Sequence, residues 1–265
     1  MQTYAIMNLK GGVAKTVTTV NVAAILAHDH KKRVLVIDAD SQANSTEFLT
    51  GGSLPENARG LADLLRIPQA DRCTVNLSDL ALQAIHATTV PGVELIPADD
   101  TLMDLDLSRA ESGSLYLNCL ADLSGFPLFK RYDYVLIDCP PAFNAAAAAA
   151  LLSADQVLIP IKLDAFSLRG MTNILHQVEA MKRINPKLRL AGLLPTMWYP
   201  GEEILSAEKI LRGSGLPVFP HIRRSNKVDD MTFRQEPLIK SSPKSGACKD
   251  YRFFVRYLEG GVRRA

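Results

Sequence analysis

Two lysines five residues apart, with a glycine doublet between them, form the first chemistry-bearing pattern in the chain: Lys10-Gly11-Gly12-Val13-Ala14-Lys15-Thr16. Glycines at 11 and 12 let backbone N–H groups approach phosphate oxygens with no Cβ in the way. A helix starting near Lys15 adds unsatisfied N–H groups and the positive end of its dipole. In that setting Lys15 would bridge the β- and γ-phosphates of a bound nucleotide, and the Thr16 hydroxyl would coordinate Mg²⁺. Against the strict phosphate-loop pattern G-x-x-x-x-G-K-[ST], Leu9 and Ala14 stand where glycines are specified. The Ala14 methyl group is accommodated if its φ is negative.

Carboxylates supply the second half of the chemistry. The apolar run Val34-Leu35-Val36-Ile37 closes on Asp38, and Asp40 follows two residues later. Acids at the C-terminal end of a buried strand lie where open α/β sheets bind ligands. There an acid holds the Mg²⁺ shell or orients an attacking water. A second run, Tyr134-Val135-Leu136-Ile137, closes on Asp138 before Cys139-Pro140-Pro141. This is the arrangement of an acid that reaches Mg²⁺ through water.

These residues need strands to carry them. Val/Ile/Leu runs at 4–8, 34–38, 93–97, 134–138, 156–160, 190–195 and 218–222 read as strands. Helical patterns fall at 16–28, 60–65, 102–123, 145–153, 167–184, 203–211 and 249–258. The alternation predicts an α/β fold of the P-loop NTPase kind, a mostly parallel twisted sheet flanked by helices on both faces. One domain over 1–265 is expected, with loops and short helices at 49–89. The chain has 265 residues, 47% hydrophobic and 22% charged, which excludes disordered, collagen-like and coiled-coil classes. Neither a membrane-spanning run nor a signal-peptide pattern is present, and the four cysteines are scattered. A cytoplasmic protein is expected.

Taken together, the Lys10–Thr16 loop, the V-L-V-I-D-A-D-S-Q-A-N-S-T run from Val34 and Y-D-Y-V-L-I-D-C-P-P-A-F-N from Tyr132 resemble ParA-type partition ATPases. The runs A-D-Q-V-L-I-P-I-K from Ala154 and A-F-S-L-R-G-M from Ala165 follow in the family's order. The resemblance implies an ATP-dependent sandwich dimer in which Lys10 of one subunit reaches the phosphates of the other. It makes Asp40 the residue that activates water, Asp38 the support of the magnesium and Thr16 region, and Asp138 the acid near Mg²⁺. Val17 departs from the family's second threonine and Ser41 from its proline. The resemblance further implies non-specific DNA binding by the ATP dimer and release stimulated by a ParB-like centromere-binding partner. A nucleoid-associated location follows from that.

The charge distribution bears on the DNA expectation. Residues 1–181 carry a net charge of −7 and residues 182–265 one of +9. Candidate phosphate contacts are Arg223, Arg224 and Lys227, then Lys249, Arg252 and Arg256 along the last helix. On that helix Ala247, Tyr251, Phe254, Val255 and Leu258 form the apolar face. Trp198-Tyr199-Pro200-Gly201 replaces the family's D-x-R-T stretch, with Arg169 as a substitute cation. Two rivals stand beside DNA partition: a MinD-like membrane-surface ATPase using the tail 251–264, and a nucleotide-binding regulator with negligible hydrolysis.

Overall fold

The computed structural model describes residues 1–55, 57–105, 107 and 113–260; for 165–170 it describes the backbone alone. Strands are β1 (Gln2–Ile6), β2 (Val34–Asp38), β3 (His86–Ala87), β4 (Val93–Ile96), β5 (Tyr134–Asp138), β6 (Gln156–Lys162) and β7 (Arg189–Thr196). They form one sheet in the order β3-β4-β2-β5-β1-β6-β7, parallel except for the two-residue edge strand β3. The α-helices are α1 (Lys15–His30), α2 (Asn44–Thr50), α3 (Leu61–Leu65), α4 (Leu77–Ala84), α5 (Cys119–Leu123) and α6 (Pro127–Lys130). After β5 come α7 (Ala145–Ser153), α8 (Ala165–Lys182), α9 (Glu202–Arg212), α10 (Asn226–Arg234), α11 (Leu238–Ser241) and α12 (Gly246–Gly260).

Both sheet faces are covered, and successive strand residues divide between them. Tyr4, Ile6, Val34 and Val36 join one core with α1 and α12. Ala5, Leu35 and Ile37 join the other with α5 and α7. Helix α7 is almost pure alanine from Ala145 to Ala150, every one of them buried. Those small side chains let the helix press close to the sheet and to α5. The Asn144 side chain caps it by accepting from the N–H of Ala147 at 3.0 Å.

Two expected elements differ. Residues 218–222 form no strand: Val218 makes an isolated bridge with Leu193, and Arg223 just beyond the segment makes one with Trp198. Pro217 and Pro220 have no N–H to offer a ladder, so the segment tracks β7 without becoming a strand. The helix expected over 102–123 is not continuous. A 3₁₀ turn at Asp100–Asp104 and α5 are separated by Gly113 at φ 74° and a non-helical 114–116. Residues 106 and 108–112 of that expectation lie outside the described residues. No helix among the described residues is long and apolar enough to cross a membrane.

Because α7 has no spare volume, Ala147→Leu should destabilise the protein by about 1–3 kcal/mol through overpacking. Urea denaturation followed by circular dichroism measures this; an unchanged midpoint would mean that α7 does not lie tight against its neighbours.

Candidate functional site

Three adjacent strands, β2, β5 and β1, bring their C-terminal ends together. Ile6 pairs with Asp138, and Asp138 with Asp38. The chain moves to opposite sides of the sheet after β1 and after β5, so this is also its switch point. Asn8 anchors the loop that leaves β1: its amide donates to the carbonyl of Pro160 at 2.7 Å and its side-chain oxygen accepts from the N–H of Lys10. Gly11 and Gly12 face open space where a Cβ would stand, and Gly12 has φ 69°. Ala14 sits at φ 66°, ψ 35°, immediately before α1. The condition of a negative φ at Ala14 is therefore not met: the turn into α1 uses a left-handed residue although alanine occupies it.

Lys15 is buried, and its amine donates to the Lys10 carbonyl at 3.3 Å. Burial pushes its pKa below the ordinary value, against the charges of Asp138 and Asp40. The Thr16 hydroxyl donates to Asp138 at 2.7 Å, and the Ser45 hydroxyl does the same at 2.7 Å. Asp38 accepts from both the N–H and the hydroxyl of Thr46 at 2.8 Å. Thr46 in turn accepts from the N–H of Ala98, so the acid is held from behind. Burial raises Asp138 to about 6; burial, then the charge of Asp138, raises Asp38 to about 8. A cation nearby would favour the ionised form of both. Asp40 is half-buried and lines the cleft, its side chain accepting from the N–H of Gln42.

That cleft holds about 690 Å³ and runs from residues 11–17 and Asp40 to a far wall containing Thr196, Met197, Tyr199, Val228, Thr232 and Tyr251. Thr196 ties the walls together by donating to the carbonyl of Val13. Val17 also faces the cleft. The Trp198 stretch is fixed by stacking on His221 at 4.0 Å and by an indole bond to Glu208. The Tyr251 hydroxyl shares a hydrogen bond with Thr18. The donor set suits Mg²⁺ with a triphosphate: hard oxygens from Thr16 and Asp138 beside a glycine cradle open at Gly11 and Gly12.

Lys10 is engaged within its own chain. Its amine lies 2.9 Å from each carboxylate oxygen of Asp164. The six basic residues expected to meet DNA divide. Arg223 is clamped to Asp250, Lys227 to Asp230 and Arg252 to Asp29. Gly246 lies beneath Arg223, where a Cβ would stand 2.7 Å from its Cδ and would push the arginine side chain aside. Arg224, Lys249 and Arg256 are exposed and have no ion pair among the described residues. Arg223 and Arg224 also line the nucleotide-sized cleft, which the sequence did not suggest. The side chain of Arg169 lies outside the described residues.

Residues 1–190 match the AAA domain family. The chain is 32% identical over 201 residues to the chromosome partitioning protein ParA of Caulobacter vibrioides, covering 75% of this chain and 70% of that protein. The chain belongs to the ParA family. Apo McdA of Cyanothece superposes on this ParA-family chain with a TM-score of 0.81 at 25% identity, covering 98% of this chain and all of that one. Cobyrinic acid a,c-diamide synthase from Mycobacterium smegmatis, with ADP and magnesium bound, gives 0.76 at 26% identity, over 98% and 94% of the two chains. Structural neighbours of this family hold adenine nucleotide with magnesium, and the chain is a member of a nucleotide-binding ATPase family.

Sequence reasoning gave Asn8, Ser45, Thr46 and Thr196 no role, and placed Tyr251 on the apolar face of the last helix without linking it to this cleft. Ser45 and Thr46 stand within the run that follows Asp40, yet only the fold shows which carboxylate each one serves.

Two outcomes follow from this geometry. A left-handed alanine costs about 1–2 kcal/mol and glycine returns about 0.4–1 of that through the unfolded chain, so Ala14→Gly should stabilise by roughly 0.5–1 kcal/mol. A urea midpoint that falls would contradict it. Second, the folded state keeps protons on Asp38 and Asp138 that the unfolded chain releases near the ordinary carboxylate value. Their contribution to the stability of the nucleotide-free protein is present in acid and is lost as pH rises through about 6 and about 8. Thermal unfolding across that range should show the loss, and Asp38→Asn should flatten it.

Proposed function

We propose that the protein is an ATP-dependent DNA partition ATPase whose ATP-bound sandwich dimer binds DNA non-specifically. The observation that carries this is the meeting of the 10–16 loop, Asp40 and Asp138 around one cleft, with Thr16 bonded to Asp138. Backbone N–H groups of 11–17 bind the phosphates, and Lys15 turns from the Lys10 carbonyl to the β- and γ-phosphates. Thr16 and Asp138 would hold Mg²⁺, which supplies charge neutralisation on the triphosphate; Asp38 keeps the Thr46 side of the pocket rigid. Asp40 orients a water for in-line attack on the γ-phosphorus. The bond to the β-phosphate oxygen breaks, leaving ADP and phosphate, which takes up the water's proton directly or through Asp40.

Lys10 completes the site of a second copy. Its pair with Asp164 is partly exposed, 39% and 27%, so breaking it costs about 0–1 kcal/mol. Charge-assisted contacts to a triphosphate offset that easily, which makes nucleotide and dimer stabilise each other. Arg224, Lys249 and Arg256 carry the first phosphate contacts to DNA, since Arg223, Lys227 and Arg252 must first leave their acids. A ParB-like centromere-binding partner triggers hydrolysis and release.

The MinD-like reading has one observation in its favour. Tyr251 and Phe254 face the core, but Phe253 and Tyr257 are 47% and 36% exposed on α12, their rings 5.0 Å apart. Co-sedimentation with anionic liposomes in ATP separates it from DNA binding. The non-hydrolysing regulator is separated by phosphate release, with and without duplex DNA.

Light scattering during gel filtration tests the central reading. The protein should be monomeric with ADP and dimeric with a non-hydrolysable ATP analogue, and Lys10→Ala should bind nucleotide without dimerising. Asp40→Ala should form dimers with ATP itself and release phosphate at least ~100-fold more slowly. Normal turnover in the Asp40 variant would remove its assigned role. Replacing Arg224 and Lys249 with alanine should reduce the salt slope of DNA binding by about one unit per lost contact.

A further inference from the structure

A second cleft, of about 520 Å³, lies at the other end of α1. With 16 residues at 1.5 Å each, that end is roughly 24 Å from the phosphate loop, so the two clefts are separate. Its walls come from the end of α1, the start of β2, the turn before β4, and residues 235–240. The floor is carbon: Ala24 and Ala27 of α1, Val90 and Pro91, Pro237 and Ile239. The two prolines contribute no N–H, which keeps that surface without backbone donors.

The rim is cationic. Lys31, Lys32 and Arg33 follow one another out of α1, and Lys240 approaches from α11. Glu236 is the one acidic residue of the lining, and it is already bonded to Lys240 at 2.7 Å. Lys31, Lys32 and Arg33 make no ion pair among the described residues. A duplex would use the rim, but its convex phosphate surface leaves a concave apolar floor wet. The volume falls within the roughly 300–1,000 Å³ range of small-molecule sites.

From this pairing of floor and rim we propose that the cleft binds a small soluble organic anion with an apolar body, of the medium-chain carboxylate class. The hydrocarbon covers the Ala24, Ala27, Val90 and Pro237 floor. The carboxylate sits among Lys31, Lys32 and Arg33. The site does not depend on the ATPase reading.

The test uses the full chain with Mg-ADP present, so that the phosphate-loop cleft is filled. Anilinonaphthalene sulfonate, an aromatic anion, should give a saturable one-to-one fluorescence signal that free decanoate displaces. Lys32→Glu with Arg33→Glu should weaken both ligands about tenfold. Should that double variant fail to fold, Lys240→Glu, on a different segment, should weaken them in the same direction. Circular dichroism and ADP affinity confirm that the variants are intact. The proposal is overturned if the dye titrates without saturation, if excess ADP displaces it, or if charge reversal leaves its affinity unchanged. Binding to phosphatidylglycerol vesicles with none to free decanoate would assign the surface to a membrane and also overturn it.

Discussion

Everything in the phosphate-loop cleft leans on Asp138, a carboxylate held away from water at the end of the central strand β5. Two hydroxyls from different parts of the chain, Thr16 and Ser45, donate to it. They join the start of α1 to the start of α2 across the sheet. The arrangement is satisfied in hydrogen bonds and costly in charge: burial raises both acids, the charge of Asp138 raises Asp38 beside it on β2, and that of Asp40 raises Asp138. A cation placed beside two such buried acids would favour the ionised form of both. Its geometry comes from strand register, so it is set when the sheet forms.

The fold and this site were largely legible in the sequence for one reason. Buried parallel strands must be nearly continuous apolar runs, and their ends must carry the polar residues, so Asp38 and Asp138 marked their own strand boundaries. What escaped was long-range. Pro220 broke an apolar run that otherwise read as a strand, and Gly113 interrupted what read as one long helix. The sequence left the sign of φ at Ala14 open, because residue type alone does not report what the turn demands. Thr196 and Tyr251 lie some two hundred residues from the partners they bond, and no local pattern reports such a contact.

Positive charge in the last third of the chain also proved less available than its count suggests. Asp250, Asp230 and Asp29 each hold one of the expected cations. These pairs are partly exposed and individually weak, so they set a threshold for a polyanion and do not bar it. The same holds for Lys10 and Asp164. Lys10, Arg223, Lys227 and Arg252 are thus each engaged with a carboxylate, whereas Lys15 rests on the Lys10 carbonyl.

Neighbouring positions on α12 are fastened to opposite sides of the triphosphate cleft. Asp250 grips Arg223 through both its backbone and its guanidinium, while the next residue, Tyr251, reaches Thr18 on α1. The carboxyl-terminal helix therefore works as a crossbar. One helix thus sets the spacing of both attachments.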